Sequence, residues 1–121
     1  MTPIERGAAG ATTYPDPMPA IELLYFDGCP SWPHAWAALG QALAEERIDA
    51  TVRLRDVADL PTEDLAGFAG SPTIRVDGVD LFGYAGPPVM ACRRYGHAPA
   101  QGWPSVEALR AALEVAAVGA P

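Results

Sequence analysis

The chain has 121 residues, half of them apolar, with 15 acidic and 8 basic side chains and a formal net charge of -7. This length fits one domain with a modest core, and the negative charge argues against a nucleic-acid or anionic-membrane partner. No stretch approaches the ~20 apolar residues that span a bilayer. The N-terminal residues are too weakly apolar for a secretory signal, so we expect a cytoplasmic protein.

The chain contains two cysteines, Cys29 and Cys92. In the cytoplasm thiols stay reduced, so the two are either inert core residues or a reactive pair. The two histidines, His34 and His97, do not stand at metal-ligand spacings from the cysteines. The sequence also lacks a phosphate-binding loop and a dinucleotide fingerprint, so we expect no cofactor. The oligomeric state is left open.

The first half of the chain predicts a strand, a helix and a second strand. Residues 1–19 are rich in proline and glycine and predict a flexible leader before a domain over residues 20–118 and a tail over 119–121. The apolar run at residues 21–26 predicts a strand buried on both faces. Apolar spacings of three and four predict a helix that begins at Cys29 and Pro30 and buries Trp36, Leu39 and Leu43. Alternation at residues 51–57 predicts a half-exposed strand.

The second half predicts a hairpin and a final helix. A short helix is expected at residues 65–68, with Thr62 as its cap. Strands at 73–76 and 79–82 flank Asp77-Gly78, the preferred two-residue hairpin turn. A loop over residues 83–104 precedes a helix at 106–118, capped by Ser105. The order β-α-β-(α)-β-β-α predicts an α/β sandwich with a four-stranded mixed sheet and helices on both faces.

Three segments carry a resemblance to a known family. They read LYFDGCP at residues 24–30, GSPTIRVDG at 70–78 and CRRY at 92–95. In this order they resemble a bacterial group of small thioredoxin-like proteins, often labelled thioredoxin family or alkylmercury (organomercurial) lyase-like. The resemblance covers about residues 20–118 and implies a thioredoxin-like sandwich. It further implies a cysteine at the start of the first helix and a cis Ser71–Pro72 bond at the start of the third strand.

Cys29 is the candidate nucleophile. A thiolate at a helix N-terminus is stabilised by unpaired N–H groups and the helix dipole. Trp32 stands where thioredoxins carry their second cysteine, so Cys92 is the one remaining partner thiol. The predicted topology returns the Cys92 loop to the end of the sheet that carries Cys29, and we expect the two within about 10 Å.

Five further residues are candidate substrate contacts. Trp32 would form an apolar wall beside the thiol. The main chain of Ser71, exposed by Pro72, would pair with extended substrates. Arg93 would stabilise a thiolate or hold a carboxylate, and Tyr95 would donate a hydrogen bond at the rim.

Three functions remain open. In the first, Cys29 attacks a protein disulfide, a small thiol compound or an electrophile, and Cys92 resolves the intermediate. In the second, both cysteines serve an organomercurial lyase-like reaction or bind a soft metal such as mercury. In the third, the domain binds a partner without catalysis.

Overall fold

The structure is a computed structural model that describes residues 20–96 and 101–116. Its strands are β1 (Ile21–Tyr25), β2 (Val52–Asp56), β3 (Thr73–Val76) and β4 (Val79–Asp80), and its helices are α1 (Trp32–Glu45) and α2 (Val106–Val115). The predicted leader, the tail, the end of the last helix and His97 lie outside the described residues.

The four strands form one mixed sheet in the order β2-β1-β3-β4. β1 is parallel to β2, and Ile21 pairs with Val52. β3 runs antiparallel to β1, and Leu24 pairs with Thr73. The predicted α/β class with a four-stranded mixed sheet is therefore confirmed. The antiparallel pairing also places the end of β1 beside the start of β3, which positions the candidate site.

Both α-helices pack on the same face of the sheet, and the described residues place no α-helix on the opposite face, which corrects the prediction of helices on both faces. Ile21 and Leu23 of β1 point toward this face and join a core with α1 and α2. Leu24 points to the opposite face, where it packs with Val57 and Phe68. Short 3-10 turns at Val57–Asp59 and Thr62–Leu65 lie along this second side. They replace the short helix predicted at residues 65–68.

Helix α1 begins three residues later than predicted. Its N-cap is Ser31 and its second residue is Pro33. A helix that began at Pro30 would place Pro33 in the fourth position, where a backbone N–H is needed for the first intrahelical hydrogen bond. In the second position the missing N–H has no consequence. Cys29 therefore lies in the turn before the helix and not in its first turn.

The core face of α1 also differs from the prediction. The helix buries Ala35, Leu39, Ala42 and Leu43, while Trp36 is 41% exposed. Small alanines let the helix approach the sheet closely, and the large indole is left at the surface. None of the helices in the described part of the chain has the length and apolar character to cross a membrane.

The hairpin and the final helix begin as predicted. Asp77 and Gly78 both have positive φ, 52° and 83°, as the preferred two-residue hairpin turn requires. β4 is shorter than expected, because it ends at Asp80 and not at residue 82. The Ser105 hydroxyl accepts a hydrogen bond from the N–H of Ala108 and caps α2.

Candidate functional site

Cys29 lies in a tight turn between β1 and α1. Gly28 before it has a φ of +90°, a conformation that side chains rarely allow. The Cys29 N–H donates to the Phe26 carbonyl at 3.2 Å, which closes the turn. The residue is only 4% exposed, and the thiol is free. The turn therefore holds a reduced, enclosed thiol just ahead of the N-terminus of α1.

Ser71 and Pro72 lie against the same turn. The Phe26 N–H donates to the Ser71 hydroxyl at 3.3 Å, so the turn that holds Cys29 is bonded directly to the start of β3. Both Ser71 and Pro72 are fully buried. The Ser71–Pro72 peptide bond is cis, as the resemblance implied. The structure thus brings Cys29 together with Ser71 and Pro72, which follow it by 42 and 43 positions in the chain.

Cys92 lies in a segment that pairs with Ser71. The Ser71 N–H donates to the Ala91 carbonyl and the Arg93 N–H donates to the Ser71 carbonyl, each at 2.9 Å. Cys92 is thereby placed opposite Ser71 in a one-residue parallel bridge. The expectation that the Ser71 main chain is open to extended substrates is therefore wrong, because the chain itself uses both groups.

The two cysteines lie at the same end of the sheet but do not form a disulfide bond. Cys92 is exposed, Cys29 is buried and both are free thiols. Their positions are not at disulfide distance. In the described part of the chain, no group of three or more histidine, cysteine or acidic side chains could hold a metal ion.

Arg93 binds a carboxylate of its own chain. Its guanidinium contacts both oxygens of Asp80, at 2.6 and 3.1 Å, and its carbon lies 4.7 Å from the centre of the Tyr95 ring. Burial alone would lower the pKa of Arg93, but its contacts with Asp80 and Tyr95 raise it overall. Arg93 is therefore a permanent cation held by Asp80, which differs from the predicted substrate contact.

Tyr95 connects the segment that carries Cys92 to Pro72. Its hydroxyl donates to the Pro72 carbonyl, and the side chain is almost fully buried. Burial raises the pKa of Tyr95 strongly, while the charge of Arg93 opposes that rise. A Cys29 thiolate raises this pKa further, as a smaller contribution. Tyr95 is therefore a neutral hydrogen-bond donor.

Trp32 packs against Tyr25 and the main core. It is the first residue of α1, three positions after Cys29, and its ring lies 4.8 Å from that of Tyr25 in a tilted arrangement. Both side chains pack against the main core. Its expected role as an apolar wall beside the thiol stays a prediction.

A shallow cleft lies next to the site and does not include the thiol. Its volume is about 200 Å³. It is lined by Phe82, Tyr95, Gly96, Gln101, Trp103, Pro104, Ser105 and Ala108. Tyr95 is shared between this cleft and the site, but Cys29 is not among the lining residues. We therefore place the candidate chemistry at the thiol and not in the cleft.

Sequence reasoning missed Asp80 and Gly70. Asp80 is the last residue of β4 and stands between the apolar residues Val79 and Leu81, and its side chain is fully buried. An acidic residue at an inward position of a strand is a signal for a buried cationic partner. Gly70 has no side chain that would meet the closely packed Ala91 and Arg93. It gave no signal in the sequence, because residues 91–93 are distant from it along the chain.

Comparison of the chain with protein-family models, with curated proteins and with solved structures finds no match. The function is therefore argued from the geometry of the site.

Proposed function

We propose that this protein performs thiol–disulfide exchange through Cys29. One observation carries the proposal: Cys29 is buried, yet it belongs to neither of the two hydrophobic clusters of the molecule. An inert core cysteine packs among apolar side chains. Cys29 instead lies in a glycine turn bonded to Phe26 and, through Phe26, to the Ser71 hydroxyl. These hydrogen bonds fix the main chain of the turn that carries the thiol.

The finer fold assignment is part of the same proposal. We assign the α/β fold to the thioredoxin-like class. The support is the order of strands and helices, the cysteine turn before α1 and the cis bond before β3. This class uses such a turn to present a thiol beside the residues that precede the third strand.

The reaction is an exchange that needs no cofactor. The Cys29 thiolate attacks one sulfur of a disulfide, the sulfur–sulfur bond breaks and the second sulfur leaves as a thiolate with the electron pair. A new disulfide joins Cys29 to the retained half of the substrate. A second thiolate then attacks the substrate sulfur of this disulfide and forms a new disulfide with it. The Cys29 sulfur leaves as a thiolate with the electron pair, which returns Cys29 to its reduced form.

While residues 91–93 are paired with Ser71, the second thiol comes from an external molecule. Cys92 is the other candidate, but its segment is fixed to Ser71 by two main-chain bonds. A resolving role for Cys92 requires residues 91–93 to move away from Ser71. The resolving role of Cys92 stays a prediction. Turnover of the Cys92→Ser variant tests it directly.

The test is reduction of a small disulfide, such as hydroxyethyl disulfide, with glutathione as the second thiol. Cys29→Ser should lower the turnover at least ~10-fold, since a hydroxyl is not a nucleophile at neutral pH. A Cys29→Ser/Cys92→Ser variant gives the background without any protein thiol. Turnover that survives Cys29→Ser at the wild-type level would contradict the proposal.

Two other results would favour the remaining functions. Tight binding of one Hg²⁺ ion per chain, measured by calorimetry and lost in either single cysteine variant, would favour the soft-metal alternative. A Cys29 thiol that reacts with a small disulfide reagent only after unfolding in urea would favour a non-catalytic domain. Either result would replace the exchange reaction as the function of this site.

A further inference from the structure

The main-chain groups of Ser71 are the natural docking edge beside the thiol. An extended polypeptide binds such an edge by donating to a free C=O and accepting from a free N–H. In this protein the Ser71 N–H already donates to Ala91, and the Ser71 C=O already accepts from Arg93. We call residues 91–93 the closing segment, because they occupy the place that an extended substrate would take.

The closing segment is fixed by side chains as well as by main-chain bonds. Arg93 makes a two-pronged ion pair with Asp80 of β4, whose side chain is completely buried. The same Asp80 carboxylate accepts from the N–H groups of Phe82 and Tyr84, so it is held rigidly. Displacing the segment would leave a buried carboxylate without its cation, which is strongly unfavourable.

Packing at Gly70 also shows how closely the segment lies. A side chain at position 70 would bring its Cβ to 2.7 Å from the Ala91 oxygen and 3.2 Å from the Arg93 Cβ. Gly70 therefore packs closely against Ala91 and Arg93, the residues on both sides of Cys92. A second extended chain cannot enter between the segment and Ser71 while Arg93 holds Asp80.

We propose that the closing segment limits the substrates of Cys29 to compact molecules and excludes extended polypeptides, and that Arg93 is the positioning residue that keeps it closed. The inference rests on the exchange function proposed for Cys29. It selects small disulfides or electrophiles over protein disulfides. A compact substrate needs no docking edge, since its reactive sulfur can approach the thiol without pairing with Ser71.

The experiment compares two mixed disulfides that share one leaving group. Each carries 2-nitro-5-thiobenzoate, one on N-acetylcysteine amide and the other on the single cysteine of an unstructured ten-residue peptide. The Cys29 thiolate attacks the cysteinyl sulfur, and the coloured nitrothiobenzoate leaves with the electron pair. The release is followed by absorbance in the Cys92→Ser variant, so that Cys29 is the one protein thiol.

With the closing segment in place, the small compound should react at least ~10-fold faster than the peptide, after correction for the rates of both compounds with free cysteine. Arg93→Gln should raise the rate with the peptide ~10-fold and change the rate with the small compound less than ~2-fold. Arg94→Gln is the matched control, because Arg94 is the adjacent exposed arginine. It should change neither rate.

A second variant and a second measurement cover the case in which Arg93→Gln unfolds. Arg93→Gln/Asp80→Asn removes both charges of the pair and should give the same selective gain with the peptide. Hydrogen exchange of the Ser71 amide should be slow in the Cys92→Ser protein and faster in either release variant, if the segment opens.

The outcomes separate the two proposals. Equal corrected rates for the two compounds, or a release variant that accelerates both equally, would overturn the substrate restriction and leave the exchange function intact. Failure of both compounds to react would overturn the exchange function. In that case rapid exchange of the Ser71 amide would overturn the closed segment as well, and slow exchange would support it.

Discussion

At the scale of single residues, Gly70 combines a positive φ with close packing against backbone atoms. Its φ is +108°, and the space where a side chain would begin is filled by Ala91 and Arg93. Gly83 has a similar φ of +91° but no atom within 4 Å of the position of an added Cβ. The two glycines therefore separate the effect of backbone conformation from the effect of close packing.

We predict that Gly70→Ala destabilises the protein by about 2–4 kcal/mol and Gly83→Ala by about 1 kcal/mol, since both carry backbone strain but only the first adds a steric conflict. The free energy of unfolding in urea measures both. Equal losses for the two variants would show that residues 91–93 give way without resistance.

The adjacent residues Arg93 and Arg94 have different environments. Both are arginines, and the sequence does not distinguish them, but Arg93 points inward to Asp80 while Arg94 is exposed. The difference arises because Arg93 donates its N–H to Ser71, and this pairing fixes the direction of its side chain. A contact over 13 positions cannot be derived from local spacing.

At the scale of the helices, the two N-caps are both serines and differ in function. The Ser105 hydroxyl accepts from the Ala108 N–H at 3.0 Å. Ser31 has helical backbone angles and makes no side-chain cap bond. Pro33 in the first turn of α1 has no N–H, so one fewer donor there needs a partner and a side-chain cap bond matters less.

Ser105→Ala should therefore cost about 1 kcal/mol, which is typical of losing an N-cap bond, and Ser31→Ala should cost less than about 0.5 kcal/mol. Thermal or urea unfolding of the two variants checks the difference. A larger loss for Ser31→Ala would mean that its hydroxyl has a role outside the helix cap.

The prediction of α1 shows which information the sequence holds at this scale. Apolar spacing located the helix, and Leu39 and Leu43 lie in the core as expected. The start was misplaced because Pro30 and Pro33 each suit a first turn, and only one of them can occupy it. The exposure of Trp36 was missed because spacing alone does not show that alanines form the closer contact.

At the scale of the whole molecule, one buried ion pair ties the long loop to the sheet. Asp80 belongs to the edge strand β4, and Arg93 lies beyond the loop that follows it. The other ion pairs among the described residues are more exposed, and that between Arg110 and Glu45 has 42% and 39% of the two side chains in contact with solvent. Their contributions to stability should differ accordingly.

We predict that Asp80→Ala destabilises the protein by about 3–5 kcal/mol, because it leaves the Arg93 cation poorly solvated and without its anion. Glu45→Ala should cost about 1 kcal/mol or less, as is usual for exposed pairs. Urea unfolding gives both values. A small loss for Asp80→Ala would mean that water or another group solvates Arg93 readily.

The sequence predicted the sheet and the order of its elements, because alternation and hairpin turns are local features. It placed Cys29, Ser71 and Pro72 at one site through the topology of β1 and β3. It did not predict that residues 91–93 would cover Ser71, since that arrangement depends on Gly70, Asp80 and Tyr95 at the same time. Such cooperation among distant residues leaves no periodic signal.

The bridge between Ser71 and Cys92 has a consequence for the order of folding. It closes a loop of about twenty residues that contains the whole β3–β4 hairpin. Closing such a loop reduces chain entropy more than forming the two-residue hairpin turn does, so we expect the hairpin to form first and the bridge late. During synthesis the main chain of Ser71 would remain open to extended chains until the bridge forms, so the newly made chain would discriminate less between protein disulfides and small disulfides than the finished protein.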